Sequence, residues 1–166
     1  RARTLLDLAS LHPAVPVQRL WEKTGKKPAS ATQSKVRQEL EDKRLAEFAE
    51  ARVGKKTWLL IEVTPEGYRE LNKPPTKLPG RGKLVHRTFA SWLEMTGKKR
   101  GHHVVLEWRV PPEDVHSVDC GWKDADTLWH AFEVVVECRD NLAAHLHQCL
   151  SESTIVADVT IVAGDT

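Results

Sequence analysis

Seven of the eight His and all three Cys of this chain fall after residue 83, and these are the side chains best suited to ligate a metal. Cys120, Cys138 and Cys149 form no Cys-x-x-Cys pair and are odd in number, which argues against a disulfide framework. His145 and Cys149 lie four apart, on one face of an expected helix, with His147 near and Cys138 just upstream. Such a set holds Zn2+ if strand and helix meet correctly. Its spacing fits no finger or ribbon, however, and Cys149 sits in an apolar stripe where a free thiol packs as a small hydrophobe. His86-Arg87 offers other chemistry. Placed at the start of a helix, just after a basic segment, the pair is positioned to bind phosphate there. Glu133, Val135 and Glu137 share one side of a strand by its period of two, which makes an acidic patch conceivable.

The net charge of +2 conceals a division. Residues 1–83 hold 18 Lys/Arg against 10 Asp/Glu, a net of +8, while residues 84–166 hold 7 against 13, a net of −6. A basic module attracts phosphate backbones by counterion release, and an acidic one repels them unless metal ions mask its carboxylates. Between them lies Lys73-Pro-Pro-Thr-Lys-Leu-Pro-Gly-Arg-Gly-Lys83, whose three Pro and two Gly oppose regular structure. The expected organisation is therefore a module over 1–72, a linker over 73–83 and a module over 84–166. With 40% apolar and 29% charged residues the chain is globular, and it has neither a membrane-length apolar run nor a signal segment. The expectation is a soluble, cytoplasmic protein with no membrane partner. The chain opens on Arg1 rather than Met, as a fragment of a larger protein would.

The elements that must carry these residues follow from periodicity. Leu5, Leu6, Leu8 and Leu11 give a first helix, stopped at His12-Pro13, and Val17, Leu20 and Trp21 a short second one ended by Gly25. Ser30 is the expected N-cap of a third helix, in which Thr32, Val36 and Leu40 face inward and Ser34, Arg37, Gln38 and Glu41 outward. Leu45 to Val53 and Thr57 to Thr64 read as a hairpin with a basic tip at Gly54-Lys55-Lys56. Thr64 caps a closing helix with Pro65 at its first position. The second module reads as a helix from Val85, strands over 103–110, 117–122 and 128–138, a helix on Leu142, Leu146, Cys149 and Leu150, and a last strand over 154–162. Its third strand carries Phe132-Glu-Val-Val-Val-Glu137, a run suited to a central position covered on both faces. The five Trp from Trp58 onward are expected as core or interface anchors.

The order α-α-α-β-β-α, closing on Val63-Thr-Pro-Glu-Gly-Tyr-Arg-Glu-Leu71, resembles the α+β winged-helix domain of bacterial DNA-binding proteins. The resemblance implies that the third helix enters the major groove of duplex DNA while the wing lies along the backbone. It places Ser34, Arg37 and Gln38 at base edges, since Arg matches guanine and Gln adenine. Lys26, Lys27, Lys35, Lys55 and Lys56 would then lie on phosphates. Glu39, Glu41 and Asp42 oppose a deep docking of that helix.

The order α-β-β-β-α-β of the second module resembles the α/β core of PD-(D/E)xK nucleases, the restriction-endonuclease-like fold. The resemblance implies a catalytic and metal-binding pair, Asp119 in Val118-Asp-Cys120 and Glu133 in Phe132-Glu-Val134, holding Mg2+ or Mn2+ against a scissile phosphate. The lysine position of that family is Val135 here and no other Lys lies near in sequence, although Lys123 could reach in from the loop; Glu94, Glu107 and Glu137 are further acids. The whole arrangement is similar to DNA-processing proteins of mobile elements and to accessory regions of conjugation-type translocating ATPases, although no Walker motif occurs.

Three functions remain open on the sequence. One is a DNA-binding protein whose nuclease-like domain is inactive and serves assembly, as a homodimer or within a larger DNA-processing complex. The second is a metal-dependent DNA endonuclease using Asp119 and Glu133. The third is a protein-interaction module without DNA contact.

Overall fold

The computed structural model describes residues 1–25, 28–53, 55–111, 117–125 and 128–135, and the backbone of Val156–Ala163. The chain is mixed α+β and divides into two compact units, Arg1–Leu78 and Pro79–Thr166. Lys26, Lys27, Gly54, Glu137, Cys138, His145, His147, Cys149 and the helix expected from Leu142 to Leu150 lie outside the described residues. No described helix is long and apolar enough to cross a membrane.

In the first unit, helices α1 (Ala2–Leu11), α2 (Val17–Lys23) and α3 (Ser30–Asp42) precede strands β1 (Ala46–Val53) and β2 (Lys56–Val63) and helix α4 (Pro65–Glu70). Helix α1 stops where expected, because the residue before Pro13 is pushed out of the helical region. Its buried stripe is Ala2, Leu5, Leu6 and Ala9, the i, i+3, i+4, i+7 pattern of one helical face. Leu11 falls off that face and is 58% exposed, so the all-Leu stripe needs correction: Ala2 and Ala9 complete the buried face with Leu5 and Leu6. Helix α3 starts one residue earlier than expected. Ala29 is the N-cap, and Ser30 opens the helix without a capping hydrogen bond. Val36 and Leu40 are its only buried residues, and both join Leu5, Leu20, Trp21, Ile61 and Tyr68 in the unit's core.

Strands β1 and β2 pair antiparallel from Ala46↔Val63 to Val53↔Lys56. Thr64 then caps α4 as its sequence dictates: its Oγ1 accepts from the Gly67 N–H at 3.1 Å and donates to the Arg44 carbonyl at 2.7 Å. Gly67 is required there, since a Cβ would stand 2.1 Å from the Leu45 carbonyl oxygen. The proline-rich stretch that follows is held by the unit. Lys73 Nζ reaches Asp7 Oδ1 at 2.6 Å and Ser10 Oγ at 2.9 Å, the Tyr68 hydroxyl donates to the Thr76 carbonyl at 2.7 Å, and Leu78 is buried.

The second unit opens with α5 (Leu84–Lys99), followed by strands β3 (His103–Arg109), β4 (Ser117–Lys123), β5 (Trp129–Val135) and β6 (Val156–Ala163). The sheet order is β3-β4-β5-β6, antiparallel except for the parallel β5–β6 pair, so the apolar run on β5 is interior. Helix α5 packs on β3, β4 and β5. Cys120, Trp122 and Phe132 pack with Leu93 of α5 and with Val104 and Leu106, while Trp108, Val118 and Ala131 gather with Val105 and Trp129 in a separate cluster. Leu106 and Trp108 belong to different clusters although they are two apart, as are Val118 and Cys120. The strand period therefore breaks between them, at Glu107 and at Asp119. Glu107 has φ +50, a left-handed conformation rare for a residue with a Cβ.

Candidate functional site

The exposed face of α3 divides along its length. Its first half, Ser30 to Lys35, carries no acid, and Ser34 and Lys35 are exposed. Its second half pairs each donor with an acid of its own. Arg37 Nε reaches Glu41 Oε1 at 3.1 Å and Arg37 Nη1 reaches Glu50 Oε1 on β1 at 3.5 Å, with the guanidinium 5.6 Å from the Phe48 ring centroid. Gln38 Nε2 donates to Asp42 Oδ1 at 2.7 Å, and Lys43 Nζ meets Glu39 Oε1 at 2.7 Å. At the hairpin tip, Arg52, Lys55 and Lys56 are exposed, with no ion pair among the described residues.

The outer edge of β2 has an unexpected partner. Gln18 of α2 accepts from the Leu59 N–H with Oε1 at 3.2 Å and donates from Nε2 to the Thr57 carbonyl at 3.4 Å. Its side-chain amide thus acts as a one-residue strand that fixes the hairpin to the helices.

In the second unit the carboxylates lie in one cross-strand row. The sheet registers align Leu106, Cys120 and Phe132, and the next residues along the three strands are Glu107, Asp119 and Glu133. Regular pairing between β4 and β5 stops at this row, and the carboxylate of Asp119 substitutes for a backbone carbonyl: Oδ2 accepts from the Val134 N–H at 2.7 Å. The same oxygen lies 3.1 Å from His86 Nε2 of α5. His86 Nδ1 is 2.9 Å from the Arg81 carbonyl oxygen, which only accepts, so Nδ1 carries a proton. The carboxylate asks the same of Nε2. Both contacts together call for imidazolium, and the His86 pKa is raised. The hydrogen bond to Asp119 is the largest cause, burial opposes it, and the charge of Asp119, the Arg81 carbonyl and the charge of Glu133 add to it.

These contacts decide how the site treats ions. His86 and Asp119 side chains are only 19% and 16% exposed, so the pair is an internal one. Arg87 is buried too, and its Nε donates to the Gly82 carbonyl at 3.1 Å. Both basic residues at the head of α5 are thus turned toward the protein, where they tie down the segment before the helix. On the adjoining strand, Glu107 accepts from the Arg81 N–H at 2.7 Å and pairs with its guanidinium. A divalent cation would need free oxygens from Asp119 and Glu133. One oxygen of Asp119 is already engaged by the Val134 N–H and by the His86 ring, so a cation at this oxygen would compete with both. Among the described residues no group of three or more His, Cys, Asp or Glu is arranged to hold a metal. Lys123, the nearest lysine in sequence, lies at the far end of β4 with Nζ 6.0 Å from the Trp129 ring centroid. Cys120 is fully buried, and burial pushes its thiol pKa up to about 12.

Sequence reasoning missed Gln18, Arg52 and the role of Glu107. Arg52 was legible as a third cation beside Lys55-Lys56, whereas Gln18 and Glu107 act through partners 41 and 26 residues away. No protein-family model, no curated protein and no solved structure matches the chain.

Proposed function

We propose that this chain is a DNA-binding component of a DNA-processing or mobile-element system, in which a winged-helix first unit holds duplex DNA. The observation that carries this reading is the pairing of two exposed, acid-free elements. The first half of α3 offers Lys35, and the hairpin tip offers Arg52, Lys55 and Lys56. A polar helix buried through only two side chains and acid-free in its first half, with a hairpin whose tip is basic, offers duplex phosphates cations on two elements of the unit. The second unit, of restriction-endonuclease-like element order, serves assembly in this reading. The support is that its Asp119 is neutralised by His86 and bonded to the strand backbone, and that Val135 stands at the lysine position.

The test is a combined shift and cleavage assay on linear, nicked and branched DNA, with and without Mn2+. Salt-sensitive duplex binding without cleavage is the expected result. Nicking that requires the metal and disappears in Asp119→Ala would favour an endonuclease instead, and failure to bind any DNA at low salt would leave a protein-interaction module.

A further inference from the structure

We infer that the first unit grips duplex DNA by its phosphate backbone and does not read base sequence, an inference that rests on the DNA-binding reading above. Three side chains on α3 have the paired groups for bidentate base contact, Gln33, which donates to the Pro28 carbonyl at 2.7 Å, Arg37 and Gln38, while Ser34 offers a single hydroxyl and Lys35 a point charge. Each is occupied from within the unit. Arg37 is held by Glu41 from its own helix, by Glu50 from the neighbouring strand and by the Phe48 ring. Freeing it for a guanine leaves two carboxylates without their cation at the moment they approach phosphate. Gln38 donates its amide to Asp42 one turn on, and contact with adenine would require that hydrogen bond to break as well.

The charge map agrees with this division of labour. Glu39, Glu41 and Asp42 crowd the second half of α3, and Glu47 and Glu50 lie on β1, so deep insertion of that half into a groove brings acids against phosphates. The cations outside this zone, Lys35 on α3 and Arg52, Lys55 and Lys56 on the hairpin, carry point charge with no ion pair among the described residues. Phosphate contact of that kind positions a protein on duplex without sequence information.

The experiment uses the full chain and fluorescein-labelled short duplexes of unrelated sequence, measured by anisotropy across a salt series, together with selection from a randomised duplex pool. Expected are affinities that agree within about threefold across sequences, and no enriched motif after selection. The triple variant Arg52→Ala, Lys55→Ala, Lys56→Ala should bind at least about tenfold more weakly, with its slope of log affinity against log salt shallower by about 2.7, at about 0.9 per lost contact. Arg37→Ala, which uncovers the Glu41 and Glu50 carboxylates, should weaken binding by about the same factor on every sequence, and Glu50→Gln should strengthen binding without creating a preferred sequence. Circular dichroism on each variant separates loss of contact from loss of fold. A selected motif bound about tenfold better than the pool, whose advantage disappears in Arg37→Ala or Gln38→Ala, overturns sequence-independent gripping and leaves duplex binding standing. Absence of duplex binding by the folded wild-type chain at low salt overturns both.

Discussion

His86 and Asp119 meet at 3.1 Å, Nε2 to Oδ2, while the other ring nitrogen of His86 holds the carbonyl of Arg81 at 2.9 Å. One side chain thereby links the segment before α5 to the point on β4 where the strand ladder breaks. A charge-assisted hydrogen bond between two largely buried partners is stronger than a surface pair, and the sheet depends on it because Asp119 also satisfies the Val134 N–H.

The pair predicts a pH dependence of a definite sign. The folded-state pKa of His86 is raised above its ordinary value of 6.5, so its stabilising contribution is fully present below that value. The contribution is lost as pH rises above 6.5 through the folded-state pKa. Thermal melts from about pH 6 to about pH 9 should show wild type losing its advantage over His86→Gln as pH rises. A difference between the two proteins that stays constant over this range would show that His86 is not charged in the folded state.

Much of the first unit is local chemistry and was readable. Thr64-Pro65 announces a helix start because hydroxyl capping and a fixed φ act within four residues, and Val36 and Leu40 sit on one face by helical period alone. The errors have physical sources. Leu11 matched the apolar pattern, but the buried face of the helix runs through Ala2, Leu5, Leu6 and Ala9 and leaves position 11 off it. At His86 the local rule of phosphate at a helix N-terminus competed with a carboxylate 33 residues away, and sequence spacing carries no trace of that partner. Glu107 is the clearest case, since nothing in His103-Val-Val-Leu-Glu-Trp-Arg109 signals a left-handed residue inside a strand.

Gln18 yields a test of the hairpin's attachment. Gln18→Ala removes both hydrogen bonds to the β2 edge and should destabilise the chain by about 1 kcal/mol. Gln18→Glu keeps an acceptor for the Leu59 N–H but turns a carboxylate toward the Thr57 carbonyl, so it should recover less than half of that loss. Denaturant midpoints for the three proteins check the order. An alanine variant as stable as wild type would mean that the two contacts contribute nothing net.

Cys120 should be chemically silent in the folded protein. It is fully buried and its thiol pKa is pushed up to about 12, so almost no thiolate exists at neutral pH and none is accessible. Iodoacetamide followed by peptide mass mapping should leave Cys120 unmodified under native conditions and alkylate it in denaturant. Native labelling at a rate near that of a free thiol would mean that the packing of Trp122 and Phe132 around it opens readily.

Glu107 permits a sharper test, because backbone and side chain make opposite demands there. In an ordinary strand Gly is less stable than Ala by about 0.5–1 kcal/mol, through chain entropy. At φ +50 the order should invert, since a Cβ in the left-handed region costs about 1–2 kcal/mol and Gly escapes it. Glu107→Ala keeps the strained backbone while discarding the hydrogen bond to the Arg81 N–H and the ion pair with its guanidinium. Glu107→Gly discards the same contacts but releases the strain. Of the two variants the glycine should therefore be more stable, by about 1 kcal/mol in denaturant melts, with both below wild type if the Arg81 contacts outweigh the strain. An alanine variant at least as stable as the glycine would mean that residue 107 is not held left-handed in solution, and that the cross-strand row of Glu107, Asp119 and Glu133 is laid out on regular β-structure.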